Sequence, residues 1–405
     1  MRPSAIEYKA YFSSQLISVD IGRTVIPEII TSPTPSPLTF TSSDTNIFTV
    51  NDGGTIVGVG SGTAFLTMTT ISGFSQTVTV VCNPVDSVTP TDLSVKGTAN
   101  CYLVSSAGDY KFPAVRGNTD NAVDDIKGVE VLWESFGTDV APNEGDLIAS
   151  VSYKNGWVHF STTADFNDGN AVIAVRNSEG TILWSWHIWL SSEGRKEQIY
   201  FNDAGTMMDR NLGALSAIPG EASSNGLMYQ WGRKDPFLGA SSVSSNTQAL
   251  STGTWTKSSE GSIALAQENP MTFYRSSSLP IGSWGSKKTA YDPCPAGWRV
   301  PDGDSEGVWA KASGKSEKFD LTSESYGPNF SGIFGADTDI WYPLSGHLDF
   351  DSFTLTYVGS LFDCWSVSLS ANGLNASSFY FYDGHVSPAI YGNSMYGRTV
   401  RCLQE

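Results

Sequence analysis

The cysteines and histidines of this chain, which could act as nucleophiles, bases or metal ligands, are few. They are Cys82, Cys101, Cys294, Cys364, Cys402, His159, His187, His347 and His385. No two cysteines stand as C-x-x-C and no two histidines as H-x-x-x-H, so zinc and thioredoxin-type chemistry lack their spacing. No G-x-S-x-G elbow or phosphate-binding glycine loop occurs. Asp349 and Asp351 have the residue types of a glycoside-hydrolysing pair, but their i, i+2 spacing in a polar stretch reads as a solvated loop. Asp302-Gly303-Asp304 is a short acidic loop without the further oxygen ligands that calcium demands. We therefore expect no enzyme, no catalytic metal and no cofactor, with calcium left open as a structural ion. Among the cysteines we expect a Cys294–Cys402 disulfide tying the C-terminal strand to the middle of its domain. A Cys82–Cys101 bridge stays open, and Cys364 is the expected unpaired thiol.

The chemistry that the residue types do favour is recognition. Between Trp341 and Glu405, Tyr, Ser, Asn, Gly and Asp crowd the positions that turns and alternation would send to solvent. Aromatic rings give contact area at low entropic cost, and small polar residues adapt to a partner. The anchors expected here are Trp341, Tyr380, Tyr382, His385 and Tyr391, with Asp383 and Asn393 as polar contacts. Ser368, Ser378, Ile390, Met395 and Arg398 complete the expected ligand-binding set.

The elements that would carry these residues are strands. Ser377 to Val386 reads strand–turn–strand around Asp383-Gly384. Period two sends Phe379 and Phe381 inward and Ser378, Tyr380 and Tyr382 outward. Across the chain of 405 residues, 40 glycines and 19 prolines punctuate short alternating runs. That length suits two or three domains, and the pattern suits many strands joined by turns. The formal charge of −17, with no Lys/Arg cluster, excludes nucleic acid as a partner. No apolar run approaches a membrane span. The stretch Met1 to Tyr8 lacks the apolar core and cleavage site of a secretory signal.

The chain reads as three segments. In residues 1–86, apolar and polar residues alternate from Phe40 to Met68, with Asp52-Gly53-Gly54 and Gly58 to Gly62 as turns. This text, including Ser42-Ser43-Asp44 and Gly62-Thr63-Ala64, resembles the group-two bacterial immunoglobulin-like domain, a β-sandwich typical of stalks. After the linker Asn83 to Asp92, residues 87–192 read as a second β-sandwich, ending at Ile182-Leu183-Trp184-Ser185-Trp186-His187-Ile188-Trp189. It looks like the sandwich that precedes the final domain in many surface proteins of gut Bacteroidota. Trp184 and Trp186 share one face there and are expected to pack.

Residues 193–405 carry four blocks in order: Met208-Asp209-Arg210-Asn211-Leu212-Gly213-Ala214, Tyr229-Gln230-Trp231-Gly232-Arg233-Lys234-Asp235-Pro236-Phe237, Asp292-Pro293-Cys294-Pro295-Ala296-Gly297-Trp298-Arg299-Val300-Pro301, and Gly397 to Cys402. Together they resemble the Fibrobacter succinogenes-type major paralogous domain, related to C-type-lectin-like and formylglycine-generating-enzyme folds. The resemblance implies a mixed α/β domain, and the run Asp304 to Lys311 itself reads as the start of a helix after Pro301, with Ser305 or Asp304 as N-cap. The resemblance does not carry over the relatives' chemistry. The enzymes need paired reactive cysteines, and the calcium lectins need a triplet for which Glu268-Asn269-Pro270 has the wrong order. In the family, the stretch before the final Val-Arg-Cys is in some phages and bacteria a target of diversity-generating retroelements. Carried over, the framework is Trp365, Phe379, Phe381, Gly384, Val386, Pro388, Gly397, Val400 and Cys402. The variable positions are Cys364, Ser368, Leu369, Ser370, Ser378, Tyr380, Tyr382, Asp383, His385, Ser387, Ile390, Tyr391, Asn393, Met395 and Arg398. The resemblance implies an extracellular adhesin that binds a host or cell-surface receptor, glycan or protein. It would be a phage tail or fibre protein, as a homotrimer, or alternatively a bacterial surface lipoprotein or pilus-tip adhesin.

Overall fold

A computed structural model of the chain describes residues 8–32, 37–83, 89–275, 283–315, 317–336, 339–371 and 373–405. The signal-sequence reading of residues 1–7 and linker residues 84–88 lie outside the described residues. The chain divides into two compact units, residues 1–89 and 90–405. It is 43% strand and 4% helix, so β-sheet builds the architecture of both.

The first unit owes its strands to alternation. In the strand Gly62–Thr70, Ala64, Leu66 and Met68 are buried while Phe65 between them is exposed. That strand pairs with Leu38–Ser42 and Ser75–Asn83, and Leu16–Asp20 adds in parallel to complete four strands. A three-stranded sheet of Thr24–Val25, Ile56–Gly58 and Phe48–Val50 contributes Phe48 and Ile56 to the same core. Gly58 is required where it stands. A Cβ there would lie 2.4 Å from the Asp20 carbonyl oxygen and 2.8 Å from Cys82 Sγ.

The second unit opens with two four-stranded sheets. One holds Thr91–Asp92, Asp109–Pro113, Trp157–Thr162 and Ile148–Lys154; the other holds Cys101–Val104, Ile182–Leu190, Gly169–Arg176 and Gly128–Ser135. Tyr102, Phe112, Phe160, Trp184 and Trp186 fill one core cluster with residues of both sheets. The strand Ile182–Leu190 is buried on both faces. Its second face carries Ser185, His187 and Trp189, and Trp189 shares a core with Met208, Tyr229, Trp231, Trp298 and Trp365. The hydrophobic interior thus runs without a break past residue 192 into the remainder of the unit.

That remainder is small sheets and long loops. Among its described residues there are two α-helices, Ile263–Glu268 and Val308–Ser313, each six residues long, and one 3-10 helix, Ala222–Ser224. Helix is therefore a minor part of a segment expected to mix α and β. The expected cap is also corrected. Gly307, not Asp304 or Ser305, is the N-cap, and it makes no side-chain cap bond. Asp304 instead takes a left-handed φ of 64° and accepts the Glu306 N–H on Oδ1, closing a turn before the helix starts. Cys294 and Cys402 form a disulfide with Cα atoms 6.1 Å apart, while Cys82, Cys101 and Cys364 are free and buried.

Candidate ligand-binding face

The final antiparallel sheet orders Phe319–Asp320, His385–Asn393, Asn375–Tyr382 and Leu361–Leu369. Asp383 at φ 50° and Gly384 at φ 81° form its two-residue hairpin turn, the mirror-image geometry that matches strand twist and that Asp-Gly supplies at low cost. Residues directly opposite across such a sheet share a face. One face carries Phe362, Cys364, Phe379, Phe381 and Val386 into a core with Trp309 and Tyr342.

The other face carries rows that cross the sheet: Leu361–Tyr382–His385, Asp363–Tyr380–Ser387 and Trp365–Ser378–Ile390. Between the last two rows the outer strand advances from Ser387 to Ile390 while its partner advances only from Tyr380 to Ser378. The outer strand therefore holds one extra residue, a bulge next to Pro388, which has no N–H to give a ladder. The bulge reverses the alternation. Tyr391 and Asn393 now oppose Ser377 and Asn375, and belong to the side opposite Tyr380 and Tyr382.

Asp363 and Arg398 form the floor of the Tyr380 side. Arg398 Nε lies 2.8 Å from Asp363 Oδ2, with both side chains buried. The approach is electrostatic, because Nε is not aligned for a hydrogen bond and Asp363 Oδ1 has no partner. The Arg398 guanidinium donates to Ser378 Oγ at 2.7 Å and stacks 4.1 Å above the Trp365 ring. Burial pushes its pKa down against the pull of Asp363. A Cβ at Gly392 would meet Arg398 at 2.4 Å, so only glycine leaves it room.

A rim of rings surrounds this floor. Tyr382 meets Tyr357 edge-on at 5.8 Å, Tyr357 meets His347 at 5.7 Å, His347 meets Tyr396 at 4.6 Å, and Phe350 meets Tyr396 at 4.8 Å. Burial first, and then the carboxylate of Asp363, raise the Tyr380 hydroxyl above its usual range. Tyr357 is 51% and Tyr382 40% exposed. Tyr357 holds φ at 61°, a conformation that costs a bulky residue free energy and tends to be kept where it serves a site. His385 Nδ1 sits 2.8 Å from Asp320 at the sheet's edge.

Several expected site residues lie elsewhere. Trp341 is buried, donates Nε1 to the Glu324 carbonyl, and is packed so tightly that a Cβ on Gly327 would touch it at 2.5 Å. Ser378, Ser387 and Arg398 are buried beneath the surface, and Cys364 is wholly buried in the opposite core. Ser368 accepts the Gly303 N–H, far along the sheet from Tyr382. Half-buried Met395 sits in a turn closed by Asn393 Oδ1, and Asp383 is at the exposed hairpin tip. Asp349 Oδ1 accepts the N–H groups of Asp351 and Ser352, so the two carboxylates belong to a turn. The residues that sequence reasoning missed are Asp363, His347, Phe350, Tyr357 and Tyr396. Only Asp363 left a trace, as a charge inside the apolar run Leu361-Phe362-Asp363-Cys364-Trp365.

The motif blocks prove to be internal clamps. Arg233 donates to the carbonyls of Pro270 and Thr272, Trp231 to Ser366, and Lys234 to both Asp235 and Ser185. Arg401 donates to the Trp341 carbonyl and lies 3.6 Å above Tyr342.

No protein-family model and no curated protein matches the chain. Solved structures that parts of it are similar to include protocadherin gamma B7 domains 1–4, at 12% identity over 45% of this chain and 49% of that one, TM-score 0.18. Another is surface-layer protein SbsC domains 4–9, at 17% identity over 47% and 32%, TM-score 0.18. A third is the Bacteroides ovatus protein SGBP-B in complex with a mixed-linkage heptasaccharide, at 11% identity over 45% and 47%, TM-score 0.15. The chain spans about half or less of the length of each, and scores this low carry no argument about fold or function.

Proposed function

We propose that this chain is a non-enzymatic recognition protein that holds its ligand on the Tyr380 side of the final sheet. The observation that carries the reading is Tyr357, kept at positive φ with half its surface in water, beside the similarly open Tyr382. Exposed rings over a buried charged floor suit a sugar ring or an aromatic-rich protein loop. Supporting the finer reading, of a lectin-like head on immunoglobulin-like sandwiches, are the Cys294–Cys402 tie and the buried clamps formed by the motif blocks. In that reading the protein is a phage tail or bacterial surface adhesin. A retroelement acting on it would place substitutions at Tyr380, Tyr382, Asp383, His385 and Ile390 and spare Phe379 and Phe381, which sequencing the locus across a population would reveal.

The direct test uses the labelled full chain on a glycan array and on a panel of intact bacterial cells. Tyr357→Ala with Tyr382→Ala should abolish every positive signal while leaving the melting curve unchanged. Retained binding in that variant, with loss in Tyr391→Ala, would move the site to the opposite side of the sheet.

A further inference from the structure

In the first unit, a strand near the start of the chain lies beside the strand by which the chain leaves the core. Leu16–Asp20 and Ser75–Asn83 pair in parallel, in unbroken register from Leu16 opposite Thr79 to Asp20 opposite Asn83. Hydrogen bonds continue past both ends of the pairing. Thr79 N–H donates to the Gln15 carbonyl at 3.2 Å, and Ile21 N–H to the Asn83 carbonyl at 3.1 Å. The Asn83 side chain adds a cross-tie, with Nδ2 donating to Ser18 Oγ at 2.7 Å and to Asp20 Oδ1 at 3.3 Å. Ile17 and Val19 point from the same short strand into the core, so it cannot slide without dragging both out.

Tension along the chain draws Leu16 back toward the N-terminus and Asn83 forward toward the C-terminus. In a parallel pair these are opposite ends, so the load runs along the strands and across all the rungs together. An antiparallel hairpin pulled apart at its open end gives up its rungs one at a time. Gly62–Thr70 and Ser75–Asn83 have that second geometry, with Gly62 opposite Cys82 at the open end. The clamp is also anchored to the other sheet. Ile21 bridges Gly58, and Gly22 N–H donates to the Gly58 carbonyl at 2.9 Å. The preceding strand Lys9–Phe12 is held by Ile29–Ser32. Its detachment lengthens the chain by a few residues and leaves the Leu16–Asp20 pairing in place.

We propose that the first unit is a load-bearing spacer, in which Leu16–Asp20 and Ser75–Asn83 form a shear clamp against tension along the chain. The unit keeps its length up to the force at which the rungs fail together, and extends only beyond it. This function is distinct from ligand binding at the Tyr380 face and stands or falls without it.

Single-molecule pulling on the full chain tests it in two geometries. One holds the chain by its two ends; the other holds it at Ser61→Cys and the C-terminus, which loads the hairpin from its open end. The released length identifies the opening event, at about 3.4 Å per residue, for residues 16–83 in the first geometry and 61–83 in the second. At equal loading rate, the first geometry should need a several-fold higher force. Forced opening follows the unfolding rate, so losing a tie that fails with the clamp should show directly. Asn83→Ala removes the cross-tie and Ile21→Pro the N–H of the last rung. Each should lower the end-to-end force, Asn83→Ala with little change in the chemical denaturation midpoint. Equal forces in the two geometries, or the wild-type force in both variants, would overturn the assignment. Should Ile21→Pro misfold, the comparison of geometries on the otherwise native sequence decides alone.

Discussion

Cys364 shows how a reactive residue type is made inert by position. Burial pushes its thiol up to about 12, and only the thiolate is a nucleophile. Iodoacetamide at pH 8 should leave Cys82, Cys101 and Cys364 unmodified in the folded chain and label all of them after denaturation. Rapid labelling of Cys364 in the native state would reopen an enzymatic reading. His187 is the second case. It is buried with Nε2 2.8 Å from Asn170 Oδ1, and burial lowers its pKa to about 3. Between about 3 and the ordinary 6.5, the unfolded chain binds a proton that the folded chain does not. His187 therefore costs stability as pH falls through that window and costs nothing above it. Asp292, raised to about 6 by burial, acts with the opposite sign over a similar range, so the whole-protein curve hides both. The stability difference between wild type and His187→Gln isolates the histidine. It should move against wild type as pH falls from 6.5 to 3, and a pH-independent difference would refute this account.

At the scale of elements, the strand Ile182–Leu190 joins the sandwich to the small sheets and loops after residue 192, and one charged contact pins it. Lys234 donates to Asp235 at 2.6 Å and to Ser185 on that strand, with both charges buried. Asp235→Asn leaves the ammonium without its counter-charge and should cost about 3–5 kcal/mol in chemical denaturation. A loss under about 1 kcal/mol would mean the ammonium finds another partner. The hairpin at Asp383-Gly384 was legible in the sequence because both its residue types and the flanking alternation announce it. The sandwich strands were legible for the same reason. The faces of the final sheet were not. Leu361 to Val367 is buried on both sides, so its text gives no phase, and Cys364 could be assigned to either face. The extra residue near Pro388 then shifts Tyr391 and Asn393 across the sheet, an effect invisible to a count of two. Most of the rim residues come from 346–360, where the two-residue strands His347–Leu348 and Leu355–Thr356 pair as a small hairpin; its partners depend on tertiary approach, and no local pattern specifies that.

For the whole molecule, the two units have separate cores, and the disulfide lies in the second alone. Calorimetry should resolve two transitions. Reduction should lower only that of residues 90–405, by on the order of 4–5 kcal/mol for a loop of this size. A lowered first transition would show that the units do not fold independently. The same bond governs what happens under load. Cys294 and Cys402 are 108 residues apart in sequence. If the chain is pulled by its ends, that stretch cannot pay out while the bond is intact. At about 3.4 Å per extended residue it withholds roughly 370 Å of contour length. The Tyr357–Tyr382 face lies wholly inside the withheld loop. If the chain works as an attachment protein in flowing liquid, its first unit can unravel and lengthen while the loop bearing the Tyr357–Tyr382 face stays out of the line of tension.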